Sequence, residues 1–145
     1  MITTVIISIV ITFLIANITK MMNDYEKTKK IKLSMFFQNG GMPSSHTAII
    51  ISTTTAIFLE TGLTELFIAC VVISFIVMND AVKVRFETGE EAEVLNKLIK
   101  KEHIIHKLLT ERVGHTPKEV LAGLIIGIII PIIIYALYAV SDNSL

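Results

Sequence analysis

The apolar residues of this chain stand in blocks, and the longest, Val120 to Val140, runs without a single charge. About 20 apolar residues, rising roughly 1.5 Å each, cross the ~30 Å hydrocarbon layer of a bilayer. Such a block constrains the fold more than any motif does, because in lipid each backbone N–H and C=O must find a partner inside the protein. A helix satisfies that demand within the segment itself. Ile2 to Ile18 is a second block, near the lower limit for a span. With no basic region before it and no small-residue cleavage site after it, it reads as a retained anchor. Thr47 to Leu59 and Leu63 to Met78 are shorter runs separated by Glu60-Thr61-Gly62, the pattern of a helical hairpin that returns the chain to the side it left. A hydrophobic content of 52% fits this reading. The expected fold is all-α: one multi-pass membrane helical bundle over residues 1–145. Its apolar segments are about 2–18, 47–59, 63–78 and 120–140, its polar loops 20–45 and 80–118, and an amphipathic interfacial helix completes it.

Thirteen basic residues balance thirteen acidic ones, so no global field recommends a nucleic acid partner. Their placement says more. Every Lys and Arg lies in Lys20 to Lys32 or in Lys83 to Lys118, and basic loops stay cytoplasmic. Both stretches, and any site they carry, are therefore expected on the cytoplasmic face of the cell membrane. Within the second, Val94, Leu95, Leu98, Ile99, Ile105, Leu108 and Leu109 recur at helical spacing among lysines, which predicts an amphipathic helix from Glu90 to Arg112. Cys70, the single cysteine, is read as a small buried hydrophobe. Gly123 and Gly127 form a G-x-x-x-G pair that permits close helix approach, either to a neighbour in the same chain or to a second copy in a homodimer, and Pro131 is expected to kink that helix.

Two polar segments carry the chemistry. In Gly40-Gly41-Met42-Pro43-Ser44-Ser45-His46 the hydroxyl residues can cap a helix starting at the following apolar run, and the glycines let the backbone bend around a ligand. In Gly114-His115-Thr116-Pro117-Lys118-Glu119, Thr116 and Glu119 form a capping box with proline at the first helical position. Folding Glu119 back onto Thr116 also brings its carboxylate toward His115, so one residue can cap and orient at once. Helix starts expose unpaired N–H groups and partial positive charge, which suits phosphate. The bland reading of both segments is a loop, a cap and an incidental histidine.

Together with Asp80-Ala81, Val84-Arg85, Gly89-Glu90, Ala92 and Val94-Leu95-Asn96, these segments resemble, in order and spacing across roughly residues 30 to 123, the divergent branch of the phosphatidic acid phosphatase type 2 superfamily, related to acid phosphatases and vanadium haloperoxidases. The resemblance implies a membrane phosphatase acting on a lipid phosphate or diphosphate through a phosphohistidine. In it His115 is the nucleophile, Glu119 its orienting group and His46 the acid for the leaving oxygen. Arg85, Ser45, Ser44, the backbone at Gly41 and a lysine, best Lys30 with Lys32 in reserve, hold the phosphate; Asp80 reads equally as a helix terminator or as the group that holds Arg85 in place. This mechanism requires no metal and no cofactor. Where the superfamily has Ser-Arg six residues before the histidine, this chain has Leu109, so Arg85, or less readily Arg112, takes that place. The competing function is a non-catalytic membrane protein that binds anionic lipid head groups or scaffolds a complex. His103 and His106, placed on the basic helix, are read as a solvated or interfacial pair rather than metal ligands.

Overall fold

A computed structural model describes residues 2–29 and 40–142, and among them every regular element is helical. The elements are α1 (Ile2–Thr28), α2 (Ser45–Thr61), α3 (Glu65–Val82), α4 (Val84–Lys101) and α5 (Pro117–Asp142). Helix α2 is the inner one, packed against α1, α3 and α5. Gly62 (φ 70°) ends it and Thr64 caps α3 by accepting from the Phe67 N–H at 3.3 Å, so the expected hairpin forms, closed by the Phe58 and Phe67 rings.

What lies inside identifies the solvent. The buried apolar residues are mostly alanines, with Cys70, Val120 and Ile134, while Ile68, Val72, Phe75, Ile125, Ile129 and Ile133 face outward. A bundle in water hides its large side chains; one in lipid gains nothing by doing so and packs through small residues and interhelical hydrogen bonds. Here Thr12 donates to Ser52 at 2.9 Å, tying α1 to α2, and Thr54 and Ser74 pair at 3.0 Å, tying α2 to α3. Three stretches, Ile2–Glu26, Glu65–Lys101 and Pro117–Ser141, have the length and hydropathy to cross a membrane. The protein is an all-α membrane helical bundle.

Gly123 and Gly127 lie against α2: a Cβ at Gly123 would meet the Ser44 carbonyl oxygen, and one at Gly127 the Ala48 carbonyl oxygen and Ile51. The face left open to a second copy by the sequence is thus taken up within the chain.

Two expectations need correction. Residues 20–28 are helical rather than loop, because α1 continues past its apolar part on a face that remains packed at Lys20 and Asp24. The helix expected over Glu90 to Arg112 begins earlier, after a one-residue break at Lys83, and stops at Lys101. His103 adopts a left-handed conformation (φ 53°), and the chain then runs back along α4 without helix. Asn96, 2% exposed, accounts for this. Its side chain donates to the Leu109 carbonyl (2.9 Å) and Glu111 Oε1 (2.8 Å) and accepts from the Leu109 N–H (2.8 Å), replacing the bonds a helix would supply. Gly89 and Gly114 make room, since a Cβ at either would fall on the opposing backbone of Glu111 or Phe86. His103 and His106 are accordingly exposed off the helix rather than paired along it.

Candidate active site

Four helix ends meet on one side of the bundle. The His115 N–H donates to the Ala81 carbonyl at 3.0 Å, joining the start of α5 to the end of α3, and the Ser44 N–H donates to the Glu119 carbonyl at 2.9 Å, joining the starts of α2 and α5. Helix α1 closes the group: Asn23 donates to the Met42 carbonyl at 2.8 Å and Asn17 accepts from the Ser45 hydroxyl at 3.0 Å. Both histidine segments therefore share one face.

His115 is 3% exposed. Its Nδ1 lies 3.2 Å from Glu119 Oε2, and the same oxygen accepts from the Thr116 N–H at 3.0 Å, while the Thr116 hydroxyl accepts from the Glu119 N–H at 3.4 Å. The capping box and the histidine clamp are one structure. With a carboxylate as partner, Nδ1 carries the proton and Nε2 keeps its lone pair. Burial pushes the His115 imidazole below its ordinary value of 6.5; Glu119 opposes this, and the charges of Lys20 and His46 add to the lowering. His46, on the first turn of α2, has an exposed edge, yet loss of water around it lowers it too, helped by Arg85 and Lys20 and opposed by Asp80. Lys20 thus acts on both imidazoles, and both are biased toward the neutral form.

Arg85 donates through Nε to Asp80 across the α3–α4 break, a solvent-exposed ion pair. Gly40 and Gly41, at φ 71° and 87°, form a turn open to Arg112, since a Cβ on either would fall on that side chain. The Arg112 Nη2 also donates to Asp24 Oδ1 at 3.0 Å. Beside this turn a cleft of about 290 Å³ is lined by Gly41, Arg112, Gly114 and Thr116 and by four carboxylates, Glu90, Glu93, Glu111 and Glu119. Among the described residues no cluster of His, Cys, Asp or Glu has a metal-holding arrangement.

The sequence-derived set is brought together in part. His46, His115, Glu119, Arg85, Asp80 and Gly41 gather on this face. The Ser44 hydroxyl is occupied as the cap of α2, accepting from the Thr47 N–H and hydroxyl, and Ser45 donates to Asn17. Lys30 and Lys32 lie outside the described residues. Lys20, the first residue of the same basic stretch, is buried here, its Cε within 3.6 Å of where a Gly41 Cβ would stand. Lys20, Asp24 and Asn17 were missed, although a signal exists: Thr4, Ser8, Thr12, Ala16, Lys20 and Asp24 recur every fourth residue and are all buried. In an apolar helix such a stripe marks the side that faces protein.

An all-α membrane bundle whose helix ends gather two imidazoles, basic side chains and a glycine turn is the class of protein that these features define. Within that class the chain belongs to the Divergent PAP2 family, which matches residues 1–130. It is also similar to the uncharacterized membrane protein YuiD of Bacillus subtilis (strain 168), at 33% identity, the match covering 82% of this chain and 85% of the relative. No solved structure matches the chain.

Proposed function

We propose that the protein is a membrane phosphatase that hydrolyses a lipid phosphate or diphosphate through a phosphohistidine, with its site at the cytoplasmic surface. The observation that carries this reading is His115: buried, biased toward neutrality, and clamped at Nδ1 by Glu119 so that Nε2 is available to attack. In the first step His115 Nε2 bonds to phosphorus, the P–O bond to the lipid breaks, and a protonated His46 gives its proton to the leaving oxygen. In the second, neutral His46 takes a proton from water, whose oxygen displaces the histidine and releases phosphate. Arg85 with Asp80, the loop from Gly41 to Ser45 and a lysine from the first basic stretch stabilise the charge on the phosphoryl oxygens. A head group at the interface with tails among the helices suits a lipid substrate.

A second reading, a non-catalytic binder of anionic head groups or a scaffold, is favoured by one observation. Arg85, paired with Asp80, is among the charges that act on His46 but not among those that act on His115, the residue that would attack. A phosphate-release screen over a lipid panel separates the two. Purified protein in detergent is expected to release phosphate without added magnesium, orthovanadate to inhibit it, and His115→Ala to abolish it while the fold persists. Full activity in that variant would remove His115 as the nucleophile; no release from any lipid would favour the binder.

A further inference from the structure

We propose that Asp24 is a positioning residue of the anion site: it holds the Arg112 guanidinium across the Gly40-Gly41 turn, so that Arg112 joins the groups that take the phosphoryl oxygens. The inference rests on the anion site proposed above. Asp24 lies on α1 and Arg112 in the connection before α5, 88 positions away, yet Nη2 and Oδ1 are 3.0 Å apart. The glycine turn packs on the same side chain, since a Cβ at Gly41 would fall on Nη2 and one at Gly40 on the Arg112 stem. Arginine offers five N–H donors in a rigid fork, and the carboxylate engages Nη2 through one oxygen, which leaves donors for an anion at the Gly41 turn, where Lys20 also lies, rather than in the glutamate-lined cleft beside it. Fixing a long side chain in advance removes an ordering cost from anion binding.

The second carboxylate oxygen supports a functional reason for the pair. Asp24 Oδ2 is buried with no hydrogen-bond partner among the described residues. A buried carboxylate kept for stability alone would satisfy both oxygens, because an unmet acceptor away from water is destabilising. Lys20, four residues earlier on the same stripe, feels the charges of Asp24, Arg112 and Glu119 and itself acts on both histidines, so it is the residue that links the pair to them.

The test uses the full chain in detergent and reads orthovanadate affinity by thermal stabilisation beside turnover of a lipid phosphate. Asp24→Asn is expected to weaken vanadate binding and kcat/KM together by roughly tenfold or more, by analogy with the loss seen when the hydrogen-bond partner that orients a metal ligand is removed. Arg112→Lys, which keeps the charge but not the fork, should do the same, and the double variant should be no worse than either single one. Should Asp24→Asn fail to fold, Arg112→Lys carries the same readout. A variant with a lower unfolding midpoint but unchanged vanadate affinity would overturn the proposal, leaving a merely structural ion pair. Normal affinity and turnover in both variants would also overturn it while His115-dependent hydrolysis stands. Vanadate binding without turnover in the wild type would keep Asp24 in this role and remove catalysis, and no anion binding at all would overturn both.

Discussion

Glu119→Gln separates the two tasks that one carboxylate performs. Oε2 accepts from the Thr116 N–H at 3.0 Å and faces His115 Nδ1 at 3.2 Å. Glutamine at this position still completes a capping box, so α5 keeps its start and loses only the interaction of a negative charge with the helix dipole, about 0.3–1 kcal/mol. The histidine fares worse. An uncharged amide oxygen in place of Oε2 accepts from both donors more weakly than the carboxylate does, and an amide N–H turned toward Nδ1 selects the tautomer with the proton on Nε2, which has no lone pair there to attack phosphorus. Removing the charge of an orienting carboxylate in a comparable triad lowers kcat about 10⁴-fold. Because His115 is also held by its own N–H to Ala81, a loss of roughly 10²–10⁴ is expected here, equal to about 2.7–5.4 kcal/mol of activation free energy. The assay pairs phosphate release with thermal unfolding in the same detergent. Near-normal activity would refute the orienting role, and a stability loss as large as the activity loss would show that Glu119 acts through the helix alone.

Two further outcomes follow from geometry and charge. The free protein has both imidazoles below 6.5, so the form with neutral His115 and protonated His46 is most populated on the acid side of that value; kcat/KM should fall with increasing pH above it, and His46→Gln should flatten that limb. The same lowering means that the unfolded chain binds protons the folded one does not, so stability is full above 6.5 and declines as pH falls toward the folded values, which a pH series of unfolding midpoints checks. At Gly127, leucine would drive a side chain into the Ala48 carbonyl and Ile51, and overpacking of this kind costs about 1–3 kcal/mol or more. Unfolding in detergent should register that loss, whereas an unchanged midpoint would mean that α5 does not rest on α2 through its glycines.

The apolar blocks were legible because a lipid-facing helix announces itself by composition, and the capping box was legible because all its partners lie within four residues. The return of residues 104–112 along α4 was not, because helical spacing persists there while one side chain, Asn96, captures a backbone thirteen residues away. The burial of Lys20 was hidden similarly: it stands about twenty residues before the glycine loop in sequence, and only the docking of α1 brings it beside Gly41.

By itself the sequence determined helices, their apolar lengths, the caps of α2 and α5 and the pairing of His115 with Glu119, since these depend on residues a turn or two apart. Tertiary structure decided which face of each helix is inside, which glycines are covered, and that Asp24 meets Arg112 across most of the chain. Those contacts join segments whose separation in sequence carries no information about distance, and they exist only once small side chains let the helices close.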